Sequence, residues 1–231
     1  MTKYKHIFFD LDHTLWDYDA NATEALGDLY DRHQLGELGL FGKPDLVKYF
    51  FEVNYELWDL YNEGKIQRPG IRALRFKTIF ERLGALPAHM PSDIENEYIA
   101  LAPTKDKTFA KAHEVLGYLS EKYELHIITN GFNDIQTTKM KSAGLTDYFE
   151  VVLTSETTKY RKPDKEIFEL AMDRAEASLS ESIMIGDNLA SDIAGAKNVG
   201  MDHVWFNPTN NSTNEPVQYE IENLIALKNI L

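Results

Sequence analysis

His6-Ile7-Phe8-Phe9-Asp10-Leu11-Asp12-His13-Thr14-Leu15 is the stretch that decides how this chain folds. Ile7-Phe8-Phe9 is a short apolar run of β-branched and aromatic residues, the pattern of a buried strand. It stops at an acid, and a second acid follows two residues later. A carboxylate is thereby set at the carboxyl edge of the strand, where open parallel α/β sheets bind ligands. Two carboxylates this close repel unless a cation or a shared proton intervenes. A strand running into an Asx turn with solvated acids would read the same, so the rest of the chain must decide.

Past Leu15 the strand texture vanishes. From Tyr18 to Pro103 the pattern is helical. Leu46, Phe50, Val53, Leu57 and Leu60 recur every three or four residues, one face of a helix, with Gly64 as its stop. Pro69 opens another helix with Ile71, Leu74 and Thr78 on one side. Gly84 and Pro87 interrupt, and Asp93–Leu101 is a further helical candidate. From Thr104 onward strands and helices alternate. Phe109, Ala112, Leu116, Leu119 and Tyr123 form a helical stripe. Strands are expected at 125–128, 149–153, 182–185 and 203–206, and helices at 135–143, 165–177, 192–199 and 221–231. Alternation of this kind implies a mostly parallel sheet covered on both faces. The expected architecture is α/β: a Rossmann-like core from residues 1–16 and 104–231, split by a helical insertion at 17–103.

The bulk properties narrow the function. The chain has 231 residues, 43% of them hydrophobic, which suits a globular protein with a substantial core. No apolar run nears the ~20 residues that cross a bilayer, and a strand starting near residue 5 leaves no room for a signal peptide. The absence of cysteine excludes disulfides, thiolate metal sites and a cysteine nucleophile, and fits a cytoplasmic setting. A net charge of −13 disfavours binding to nucleic-acid polymers and repels anionic substrates. A phosphate site would need local positive charge.

Every core strand ends on a chemically loaded residue, and parallel strands end on the same edge. The first offers Asp10 and Asp12, the second Thr129-Asn130-Gly131. Lys162-Pro163 follows the third. The fourth offers Gly186-Asp187-Asn188, with Asp192 entering the next helix. Mg²⁺ takes oxygen ligands, typically one or two carboxylates plus water and phosphate oxygens; Asp10 and Asp187 are the natural pair. Lys162 adds the charge a phosphate dianion needs, Thr129 a hydroxyl, and amides near Gly131 further donors. The seven histidines are scattered, with none at ligand spacing.

Each motif alone is weak, but the ordered set resembles the haloacid dehalogenase superfamily of phosphohydrolases: Asp10-Leu11-Asp12-His13-Thr14, Thr129, Lys162 and Gly186-Asp187-Asn188-Leu189-Ala190-Ser191-Asp192. The resemblance implies that Asp10 is the nucleophile, passing through an aspartyl-phosphate. It implies that Asp12 protonates the leaving oxygen and then activates water. Asp10, Asp12 through its backbone carbonyl, Asp187 and Asp192 would form the Mg²⁺ set, with Asp192 orienting it. Thr129, Asn130 and Lys162 would bind the phosphoryl group. The insertion is similar to the helical cap of one large class of these enzymes. Leu57-Trp58-Asp59-Leu60-Tyr61-Asn62-Glu63-Gly64 and Ile127-Ile128-Thr129-Asn130-Gly131-Phe132 resemble the pyrimidine 5′-nucleotidase group, so the implied partner is a small phosphorylated metabolite, a nucleotide. Trp58 and Tyr61, with Arg75 as polar partner, are the cap's candidate base contacts. Sugar phosphates, phosphoglycolate and pyrophosphate are alternative substrates. The chain departs from many relatives at Lys159, where they carry glycine, and Lys159 or Arg161 could share the role of Lys162. A dehalogenase has no use for Asp12, and a non-catalytic binding protein would have lost Asp10, Asp12 or Lys162.

Overall fold

The computed structural model describes residues 3–231. Its sheet has six parallel strands in the order β3-β2-β1-β4-β5-β6. These are β1 His6–Phe9, β2 Glu124–Thr129, β3 Val151–Thr154, β4 Ser182–Gly186, β5 Asp202–Phe206 and β6 Tyr219–Ile221. The helices, in chain order, are α1 Tyr18–Arg32, α2 Lys43–Asn62, α3 Arg68–Arg82, α4 Ile94–Leu101, α5 Ala112–Ser120, α6 Asn133–Ser142, α7 Ser155–Thr158, α8 Lys165–Arg174 and α9 Ala194–Val199.

β1 is central, paired in parallel with β2 on one side and β4 on the other. All four of its residues are buried, as a strand covered on both faces requires. Alternate side chains enter opposite layers. Ile7 and Phe9 pack with Leu125, Ile127, Ile185 and the α5 residues Val115 and Leu116. Phe8 packs with Ile128, Met184 and the α8 residues Ile167 and Phe168. The β1–β2 pairing also brings together two histidines that are far apart in sequence: His6 Nδ1 lies 3.3 Å from His126 Nε2. Burial, then the neighbouring His6, pushes His126 down to about 4, so it stays neutral in the core.

The chain forms two compact units. One comprises the chain up to Tyr18 with Asp106–Leu231; the other is Asp19–Lys105. The junctions lie where they do because the outgoing and returning chains are paired. Phe109 N donates to Leu15 O at 2.9 Å and Asp17 N to Lys107 O at 3.1 Å, with a bridge between Trp16 and Thr108.

In the inserted unit α2 packs on α3, and its core includes Phe50, Phe76 and Tyr98, with Phe50 and Tyr98 centroids 4.8 Å apart. Gly64 follows α2 at φ 75°, a left-handed stop that glycine adopts without strain. The face expected for α3 is corrected. Ile71 is buried, but Leu74 is exposed, and Arg75, Phe76, Ile79 and Phe80 are buried instead. The chain's end is also corrected. No helix spans 221–231: Ile221 closes strand β6 against Phe206, and Leu224–Asn229 is a 3₁₀ segment anchored by buried Leu224 and Leu227. Pairing to the sheet edge outcompetes a helix there.

Candidate active site

The site is built by strand register. Phe9 pairs with Ile127 and with Ile185, so the carboxyl ends of β2, β1 and β4 come level. Asp10 follows β1 directly, and its N–H donates to Ile185 O at 2.9 Å. Thr129 is the last residue of β2 and Gly186 the last of β4. Thr14 Oγ1 donates to Asp187 Oδ1 at 3.2 Å, tying the first motif to the fourth.

Lys162 comes from the loop before α8. Its buried ammonium donates to Asp10 Oδ1, to Asp192 Oδ1 at 2.7 Å and to Ile128 O at 2.7 Å. That accounts for its three N–H donors. Asn130 braces the loop from below: Lys162 N donates to Asn130 Oδ1 at 2.7 Å, and Asn130 Nδ2 to Lys162 O at 2.9 Å. Lys159 is exposed and left-handed at φ 69°, the backbone that glycine adopts most readily. Asp192 lies across Gly186, where an added Cβ would sit 2.3 Å from its Oδ2. That oxygen accepts from Asn188 N at 3.0 Å. Asn188 in turn caps the following π-helical turn, accepting from Ala190 N and Ser191 N.

Charge is out of balance here. Ligand oxygens of Asp10, Asp187 and Asp192 lie within 4.8 Å of one another. Burial pushes Asp10 up to about 7; Lys162 opposes this, while Asp192 and Asp12 add to it. Burial, then Asp192 and Asp10, holds Asp187 well above the usual carboxylate range. Burial works against the Lys162 charge, yet Asp10 and Asp192 outweigh it and raise its pKa. One ammonium among three acids leaves a cluster that a further cation would relieve, and an all-oxygen donor set suits a hard divalent ion.

Asp12 lives in a different environment. Lys139 Nζ is 2.5 Å from its Oδ1, and Gln136 Nε2 is 2.9 Å from its Oδ2. Burial would raise Asp12, but Lys139 and Gln136 win and lower it. Neither α6 residue was singled out from the sequence. The available signal was that α6, with buried Gln136, Lys139 and Met140, lacks an apolar stripe to face the sheet.

A family model for haloacid dehalogenase-like hydrolases matches residues 4–200. The chain belongs to that family. The acids, threonine and lysine of its four motifs stand together at one sheet edge. Pyrimidine 5′-nucleotidase PynA of Streptococcus pneumoniae is 34% identical over 222 residues, spanning 94% of this chain and 91% of its own length. A glyceraldehyde 3-phosphate phosphatase of Pyrococcus abyssi is 36% identical, over 87% of this chain and 81% of its own. Among solved structures, the magnesium-bound HAD-hydrolase YfnB of Bacillus subtilis superposes with a TM-score of 0.86 at 27% identity, covering 99% of each chain. This member of the family is an enzyme, a phosphohydrolase. Among the described residues, no helix is long and apolar enough to cross a membrane.

In the inserted unit, Arg75 does not fit the part of a substrate partner. It is buried, its guanidinium donating to Glu95 Oε1 at 2.5 Å, Glu95 Oε2 at 3.1 Å and Asn54 Oδ1 at 3.1 Å, over the Phe50 and Tyr98 rings. Trp58 and Tyr61 meet edge to face, centroids 5.3 Å apart, with Tyr61 buried and Trp58 half-buried.

Proposed function

We propose that this chain is a Mg²⁺-dependent phosphomonoesterase acting through an aspartyl-phosphate, with nucleoside 5′-monophosphates, pyrimidine ones foremost, as substrates, working in the cytoplasm. The observation that carries the reading is the Lys162 ammonium shared by Asp10 and Asp192 beside a third carboxylate at the strand ends. The likeness to PynA supports the nucleotide. Asp10 attacks phosphorus as the ester P–O bond breaks, and Asp12, which takes up a proton from water as the phosphate dianion binds beside it, passes that proton to the leaving oxygen. Water then attacks the aspartyl-phosphate, giving its proton to Asp12 and releasing phosphate and the Asp10 carboxylate. Lys162 offsets the phosphoryl charge from beside Asp10, Thr129 holds a phosphoryl oxygen, and Asn130 holds the Lys162 backbone. When bound, Mg²⁺ supplies charge neutralisation between phosphate and carboxylates; Asp10, the Asp12 carbonyl and Asp187 would hold it, with Asp192 orienting them. Selectivity among esters is assigned to the inserted unit, because the strand-end motifs do not distinguish one alcohol from another.

A phosphomonoester panel with Mg²⁺ tests the assignment. Pyrimidine nucleoside monophosphates should show a higher kcat/KM than sugar phosphates. A sugar phosphate ranking first would transfer the assignment to the second reading, which the 36% identity to the Pyrococcus abyssi phosphatase supports. The metal is tested separately. Chelation with EDTA should abolish turnover and added Mg²⁺ restore it. Asp187→Ala should raise the Mg²⁺ concentration needed for half-maximal activity more than Asp192→Ala does. Full activity in chelator would sink the metal-dependent reading.

A further inference from the structure

We infer that Gln136 and Lys139 of α6 are positioning residues that aim the Asp12 carboxylate at the water that hydrolyses the phospho-enzyme. The inference rests on the phosphatase reading above and concerns its second half-reaction. After giving its proton to the leaving group, Asp12 is a carboxylate, and as a base it must present a lone pair in a fixed direction. A carboxylate that turns about two side-chain torsions does not hold a direction by itself. Here each oxygen is held by a different α6 side chain, Oδ1 by Lys139 and Oδ2 by Gln136, which leaves a lone pair on each for water.

The two holders are themselves fixed. The Lys139 side chain is only 6% exposed, and its ammonium lies 4.4 Å from the Trp16 ring centroid and 5.3 Å from that of Tyr18. Trp16 is bridged to both Asp12 and Thr108. Gln136 folds back across Gly131, where a Cβ would stand 2.3 Å from Nε2. Its Nε2 also donates to Thr129 Oγ1 at 2.7 Å, an oxygen that accepts from Gly131 N at 3.1 Å as well. With both acceptor positions filled, the Thr129 O–H can only donate, the polarity a phosphoryl oxygen needs. Meanwhile Gln136 Oε1 is buried without a hydrogen-bond partner. Buried amides seldom leave a carbonyl unpaired. Here the orientation that presents both N–H groups to Asp12 and Thr129 is kept at that cost.

The test uses p-nitrophenyl phosphate with Mg²⁺, whose good leaving group needs little help from Asp12 in the first step. Wild-type turnover is measured first; its absence would defeat the phosphatase reading itself. Lys139→Met should then release a burst of nitrophenol equal to the active sites, followed by slow turnover with phosphate retained on the acid-quenched chain. Because only hydrolysis of the intermediate slows, kcat and KM should fall together by ~10-fold or more, with kcat/KM little changed. Gln136→Met should act in the same direction, and Lys139→Arg should recover most of kcat. A lower kcat at constant KM without a burst, kinetics like wild type, or failure of both methionine variants to fold would each overturn the inference, the last by making the contacts structural.

Discussion

Asp10→Asn is expected to lose ~10⁴-fold or more of turnover, the scale of removing a nucleophile, while the protein keeps its stability. Asparagine fills the same space, and its carbonyl can still accept from Lys162, but an amide does not attack phosphorus. The stability half follows from the charge imbalance. Asp10 takes up its proton at about 7 in the folded chain, against ~3.9 in an unfolded one. Its raised value means the folded state binds more protons between those limits, so Asp10 destabilises the metal-free protein increasingly from about pH 4 to 7. Without metal, Asp10→Asn should therefore melt no lower than wild type above pH 7, and any advantage should shrink on acidification. Measuring kcat on the best panel substrate with thermal melts in EDTA checks both halves. Residual activity within about tenfold of wild type would exclude an aspartyl-phosphate on this residue.

Lys162→Met is expected to cost both activity and fold. The ammonium is 2% exposed and serves Asp10, Asp192 and the Ile128 carbonyl. Methionine matches its stem but leaves two buried acids facing each other. Breaking a buried ion pair from one side costs ~3–5 kcal/mol, and urea unfolding at pH 8 in chelator should show a loss of that order. The loss has a sign in pH. With Lys162 gone, the folded-state pKa of Asp10 rises further above its unfolded value, because the ammonium that opposed its burial is lost. The folded state then binds the extra protons, and acidification toward pH 5 should restore part of the stability. A pH-independent loss would mean that packing, and not charge, is what Lys162 contributes.

Strand ends with abrupt changes of chemistry were readable from the sequence. β1 and β4 run from unbroken apolar residues straight into Asp10 and Gly186-Asp187, and parallel pairing left those ends only one edge to share. What escaped depends on partners distant in the chain. Arg75 sits on the buried face of α3 because Glu95 and Asn54 are there to receive it, and the local period gives no hint of either. Gln136 and Lys139 read as ordinary polar helix residues until Asp12, over a hundred residues earlier, is laid against them. His6 and His126 meet only through the β1–β2 register. β6 is three residues long with two exposed, too brief for alternation to show.

The paired segments at Leu15–Asp17 and Lys107–Phe109 act as a doorframe. Whatever chain lies beyond Tyr18 leaves and re-enters through neighbouring residues that the core itself has clamped. To the core, the insertion is a loop whose ends are already closed, and the entropy of such a loop grows only logarithmically, ~0.6 kcal/mol per doubling of length. Lengthening or trimming the inserted segment therefore costs the core little chain entropy. Descent with modification can change what hangs in the frame and retain the hydrolytic machinery, which lets one scaffold diversify across many esters.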